Sequence, residues 1–175
     1  SPLYNIPTGV RLSGALVMDA LRRSLSTIIE RHETLRTTFI TRDDQPVQQI
    51  SLPQGQSELP LRVVDLMQVP PEEREATATQ MAIADAQQPF DLARGPLLRV
   101  TLLRLADDEH IAVLVMHHIV SDGWSMGVLV RELATLYKLC PRRIGTEPWG
   151  DGACLAHQMK RCAGVMSGSR REAMA

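Results

Sequence analysis

Two imidazoles, a carboxylate and a glycine fall inside one short stretch, Met116 to Ser125, which reads Met-His-His-Ile-Val-Ser-Asp-Gly-Trp-Ser. A neutral imidazole takes a proton from an amine or hydroxyl near pH 7, so a positioned histidine is the usual general base. His117 and His118 are adjacent, and adjacent residues at a strand end point to opposite sides. Only one of them can face a given cleft, and the other is expected to hydrogen-bond inward. The same pattern also suits two loop histidines and an Asx turn, in which Asp122 beside Gly123 orders the backbone and does not react. Two histidines and one acid are a conceivable zinc set. Adjacent histidines rarely reach one ion together, so no metal is expected.

Three other sets compete. Gly123-Trp124-Ser125-Met126-Gly127 matches the G-x-S-x-G pattern of a hydrolase nucleophile elbow, and Asp151 and His157 follow in the expected order. Against a serine hydrolase using Ser125, the apolar pattern of the preceding strand ends near His117, several residues before the required sharp turn. A helix N-terminus with a serine cap is the competing reading. Arg31-His32-Glu33-Thr34-Leu35-Arg36-Thr37-Thr38-Phe39 sits at the end of a helical pattern. Arg36 there either pairs with a distant carboxylate or suits the helix dipole. Cys140, Cys154 and Cys162 lack paired C-x-x-C spacing, so neither a metal nor a redox role is expected of them.

These residues need rigid elements on both sides. Ile111 to Met116 is apolar throughout, as a strand buried on both faces would be. From Ser125, the residues Met126, Val128, Leu129, Leu133, Leu136 and Tyr137 describe about four turns of helix. Asn5 to Leu12 reads as a strand, with Ser13-Gly14 as a turn. Leu21, Leu25, Ile28, Ile29 and His32 share one face of a helix over about residues 17–34. Arg36 to Thr41 and Val47 to Ile50 make a hairpin about Asp43-Asp44. Residues 53–60 form a polar loop, and Leu61 to Val64 a short strand. Pro70-Pro71-Glu72-Glu73 starts a helix that ends before Pro89. Leu97 to Leu105 reads as a strand with one wetter face, carrying Leu97, Arg99 and Thr101. Ala106 to Glu109 turns it into the apolar strand.

At 175 residues the chain is one domain by default, large enough to bury a core. Aromatics are only 3%, so aliphatic residues and methionine must fill that core. The net charge of -1 argues against nucleic acid as a partner. No apolar run approaches the roughly 20 residues of a membrane helix. A body without cysteine fits a reducing compartment, and a cytoplasmic protein is expected. Residues 1–139 carry 13 basic and 17 acidic side chains, whereas residues 140–175 carry 6 and 3. The expectation is a boundary near Leu139, with 140–175 an irregular tail of truncated or frame-shifted origin.

Three segments resemble the condensation domains of nonribosomal peptide synthetases. Met116 to Ser125 is similar to that family's H-H-x-x-x-D-G motif with its flanking Met and Trp-Ser. Arg31 to Phe39 is similar to its R-H-E-x-L-R-T-x-F motif. Pro89 to Leu98, Pro-Phe-Asp-Leu-Ala-Arg-Gly-Pro-Leu-Leu, resembles the segment before its two central strands. The opening Tyr4-Asn5-Ile6-Pro7 is also similar. The resemblance covers about residues 1–139.

The resemblance implies an α/β fold like chloramphenicol acetyltransferase, with residues 1–139 as the N-terminal lobe, a mixed sheet flanked by helices. It implies peptide-bond formation between thioesters held on the phosphopantetheine of carrier domains, with no cofactor bound directly. The implied partners are those carrier domains and neighbouring modules, with neither nucleic acid nor membrane. Catalysis falls to the His117–His118 pair, with His118 the reactive residue, as base or as a stabiliser of the tetrahedral intermediate. Asp122, Gly123 and Arg36 shape the site, Asp122 pairing with Arg36. Other readings are a stand-alone coenzyme A-dependent acyltransferase of the same fold, a non-catalytic remnant that docks a carrier domain, and the hydrolase using Ser125. Full condensation domains are more than twice this length, so the fragment is not expected to turn over alone.

Overall fold

The computed structural model describes residues 1–52 and 59–139, together with the backbone of residues 160–161. Its centre is an antiparallel hairpin. Strand β5 (Leu98–Ala106) turns at residues 107–108 into β6 (Glu109–His117), and β1 (Asn5–Ser13) lies antiparallel on the other side of β6. Strand β4 (Leu61–Asp65) pairs parallel with β5. The helix α2 (Pro71–Gln87) makes the crossover that a parallel pair requires. The short β7 (Lys160–Arg161) pairs with β1 at Val10 and Arg11, completing the order β4-β5-β6-β1-β7.

The sheet is covered on both faces. Val10, Leu12, Val100, Leu102, Leu114 and Met116 pack against α1 (Met18–Arg31) and α3 (Gly123–Leu139), through Leu21, Leu25, Ile28, Met126, Leu129 and Leu133. The opposite face, with Leu103, Leu105, Val113 and Val115, packs against Ala78 and Ala82 of α2. Alanines let that helix lie close to the strands. Leu114 has no exposed surface, and truncating such a side chain costs about 2–5 kcal/mol.

This double cover corrects one expectation. The face of β5 carrying Arg99 and Thr101 is not wet: Leu97 is fully buried and Thr101 nearly so. Arg99 reaches the end of α2 and donates to the carbonyls of Asp85 (3.0 Å) and Gln88 (2.9 Å). The guanidinium thus caps the helix C-terminus, where no further turn donates to the last carbonyls, together with the Asn5 amide, which donates to Ala86 and Gln88 (2.7 Å each). The first helix is also shorter than expected. His32 leaves helical geometry (φ -102, ψ 100), and Glu33–Arg36 closes a separate 3-10 turn before β2 (Thr37–Arg42).

Strands β2 and β3 (Gln45–Ile50) form the expected hairpin, separate from the main sheet. Asp43 and Asp44 both have positive φ (51 and 56), as a two-residue hairpin loop demands. The hairpin is tied to the 90–96 loop by the Phe39 N–H donating to the Leu92 carbonyl at 2.8 Å. At Gly95, φ is +60 and a Cβ would lie 3.0 Å from Thr38 Cγ2, so a side chain there would be strained and crowded.

Candidate functional site

The site is built where β6 stops. Side chains alternate along β6, so Val115 and His117 share the α2 face while Met116 faces α1 and α3. The ladder runs out around the histidines. The His117 N–H donates to the Leu97 carbonyl just ahead of β5 (3.1 Å), and the His118 N–H to the Tyr4 carbonyl ahead of β1 (2.7 Å). Both histidines are therefore pinned by backbone from opposite neighbours. Residues 118–122 then turn the chain into α3.

His117 is only 8% exposed. Its ring meets Phe90 edge-on, with centroids 6.2 Å apart at 90°, and Tyr4 at 5.9 Å. Burial lowers its pKa, and nearby positive charge adds a smaller push the same way. Its Nδ1 accepts the Ile119 N–H at 3.1 Å, which leaves the ring proton on Nε2. His118 is exposed and takes the other tautomer. Its Nδ1 lies 2.8 Å from the Ser121 carbonyl, which can only accept, so Nδ1 carries the proton and Nε2 offers a lone pair.

Asp122 caps α3. Its Oδ1 accepts from the Ser125 N–H (2.7 Å) and the Ser125 hydroxyl (2.6 Å). The Ser125 hydroxyl bond, then the backbone ones, holds this carboxyl below its ordinary pKa. The cap is thus Asp122, not Ser125, which is the third residue of the helix. A side chain built on Gly123 would meet nothing within 4 Å, so the space over the first turn of α3 is open.

The expected pair between Asp122 and Arg36 is absent. Arg36 instead donates to the carbonyls of Ile29 (3.0 Å), Glu30 (3.1 Å) and Ser51. Those carbonyls end α1 and leave β3, where the helix and strand ladders cannot satisfy them. The neighbouring His32 and Arg31 do find a carboxylate. Glu132 of α3 accepts from His32 Nε2 at 2.6 Å and from Arg31. That contact spans a hundred residues, and no local pattern announces it. Tyr4 and Phe90 lie inside segments singled out by resemblance, yet their contact with His117 is tertiary.

The elbow geometry for Ser125 is not met. Strand β6 ends at His117 and α3 begins at Gly123, so no sharp strand-to-helix turn presents the hydroxyl. Asp151, His157 and the three cysteines lie outside the described residues. Among the described residues, no group of three or more His, Cys, Asp or Glu is placed to hold a metal ion. No helix among them is long and apolar enough to cross a membrane. A groove of about 470 Å³ lies elsewhere, lined by Phe90, Pro96, Arg99 and Asp85 among others and by neither histidine.

A family model described as Condensation domain matches residues 1–143. The chain belongs to the condensation-domain family. It is 52% identical over 136 residues to one of the linear gramicidin synthase proteins of Brevibacillus parabrevis, covering 78% of this chain and 2% of that protein. It is 40% identical over 185 aligned positions to another linear gramicidin synthase protein of the same organism, covering 97% of this chain and 4% of that one. The second alignment therefore continues past Leu139. Among solved structures, the starter condensation domain of rhizomide synthetase matches with TM-score 0.70 and 31% identity, over 82% of this chain and 35% of that one. The first condensation domain of the calcium-dependent antibiotic synthetase, in complex with a substrate analogue, matches with TM-score 0.68 and 26% identity, over 76% and 33%. The chain thus spans a few per cent of these synthetases and about a third of the crystallised domains. The fold is the α/β, chloramphenicol acetyltransferase-like lobe with a mixed sheet between helices.

Proposed function

We propose that residues 1–139 are the motif-bearing lobe of a condensation domain in nonribosomal peptide biosynthesis. The complete domain joins an amine and an acyl group, each held as a thioester on the phosphopantetheine arm of a carrier domain. Carrier domains and the neighbouring modules are the partners. The observation that supports this best is the tautomer of His118. With Nδ1–H spent on the Ser121 carbonyl, the exposed Nε2 is left as an acceptor.

The chemistry balances simply. The amine nitrogen attacks the thioester carbonyl carbon, and a C–N bond forms. Nε2 of His118 takes the proton that nitrogen must lose. The C–S bond breaks, and the departing thiolate recovers the proton from the imidazolium. The product is an amide and a free thiol. Asp122 holds the first turn of α3 beside this path, and Gly123 keeps the space over it clear.

The test is a chimera in which residues 1–139 replace the matching segment of a crystallised condensation domain. Condensation of carrier-bound substrates should survive the exchange and fall by about 10²- to 10⁴-fold in His118→Ala, the range of a lost general base. Ser125→Ala should leave most of the rate. An unchanged product yield from His118→Ala would sink the assignment.

A further inference from the structure

His117 makes two bonds into the turn that follows it. Its Nδ1 accepts the Ile119 N–H at 3.1 Å, and its carbonyl accepts the Val120 N–H, also at 3.1 Å. The first bond closes the small ring that an Asn or Asp side chain closes in an Asx turn. At the far end of the same turn, the Ser121 carbonyl receives the His118 ring. The His117 ring cannot swing away, because Phe90 stands edge-on to it and the Arg99 guanidinium lies 4.2 Å over the Phe90 ring. Arg99 is in turn tied to the end of α2.

We infer that His117 is a positioning residue: its unprotonated Nδ1, braced by Phe90, closes the 117–121 turn that aims Nε2 of His118. The link to chemistry rests on His118 being the reacting base; the turn itself does not. An acceptor at Nδ1 is a sharper requirement than filling space. Asparagine can supply it, since its Oδ1 sits about where Nδ1 does. Glutamine carries its oxygen one bond further out, and leucine has none.

Nitrogen-15 spectra of the 175-residue chain test the idea first. Nδ1 of His117 should show the shift of an unprotonated ring nitrogen, and Nδ1 of His118 that of a protonated one. The reverse assignment at His117 would overturn the inference with no variant needed. Next comes amide exchange at Ile119. His117→Asn should keep its protection, whereas His117→Leu should speed exchange by about tenfold, the worth of one hydrogen bond. Equal protection in a folded His117→Leu would also overturn it. If that variant does not fold, Phe90→Leu serves, with faster Ile119 exchange expected and unchanged exchange counting against the bracing. In the chimera, His117→Asn should keep kcat, and His117→Leu should lower kcat with little change in KM. If His118→Ala stays active while the Ile119 results hold, the turn stands and only the proposed function falls.

Discussion

Nδ1 of His117 accepts a backbone N–H while Nδ1 of His118 donates to a backbone carbonyl. Neighbours of one type thus hold opposite tautomers, each set by a bond inside the same five-residue turn. The burial difference follows the strand's alternation: His117 lies over Phe90 on the α2 side, and His118 is exposed just past the end of β6. A histidine pair can serve two jobs for this reason.

Capping by Asp122 predicts a modest, specific loss. Asp122→Ala removes the acceptor for both Ser125 bonds and frees the first turn of α3. The chain's melting temperature should drop by a few degrees, and Asp122→Asn should recover most of it because the amide oxygen still accepts. Thermal melts of the two variants decide this. Equal losses from Ala and Asn would mean the negative charge matters more than the cap.

Arg36 and Asp122 make separate bonds, so their effects should add. Arg36→Ala leaves three backbone carbonyls short of a charged donor and costs about 1–3 kcal/mol. In a double-mutant cycle, the melting shift of Arg36→Ala, Asp122→Ala should equal the sum of the single shifts. A marked shortfall in the double variant would restore the direct ion pair that the family resemblance implies.

Most of the scaffold was readable because its strands are local patterns. The apolar run of β6 and the hairpin signal at Asp43-Asp44 need no tertiary knowledge. The second face of β5 misled, since Arg99 and Thr101 look solvent-facing until α2 covers them. Side-chain partners were the hardest to read. Resemblance paired Arg36 with Asp122, but carbonyls near Arg36 in the chain and a hydroxyl three residues from Asp122 compete at shorter range. Phe90 against His117, and Glu132 against His32, depend on loops and helices meeting in space. The histidine motif itself was legible because its chemistry sits in contiguous residues.

His110 should impose an acid limit on stability. It is buried at 6% exposure, and its Nδ1 has no hydrogen-bond partner among the described residues. Burial lowers its pKa first, and the Arg104 charge adds to that. The unfolded chain then binds a proton more readily than the folded one. Stability is full above the unfolded value of about 6.5 and declines as pH falls from there toward the depressed folded value. His110→Phe should flatten this part of the pH profile and raise stability at pH 7, since a buried unpaired nitrogen costs about 1–3 kcal/mol. Denaturant melts at several pH values between 5 and 8 check both halves. An unchanged slope would show that His110 is not the titrating group.

Glu132 predicts a second, lower limb. Burial by itself would raise this carboxyl, but hydrogen bonds from His32 and then Arg31 outweigh it, and its pKa lies below the ordinary range. A carboxyl depressed by folding stabilises fully above its unfolded pKa, and that stability fades as pH drops toward the folded value. The bond ties the end of α1 to α3, the helix that begins beside the histidine turn. Glu132→Gln should therefore weaken the fold at neutral pH and flatten the stability profile below about pH 4.5. The neighbouring amides at the end of α1 should exchange faster in this variant while those of β5 and β6 stay protected. Loss of protection across the whole sheet would mean that Glu132 supports the core itself, beyond the junction between the two helices.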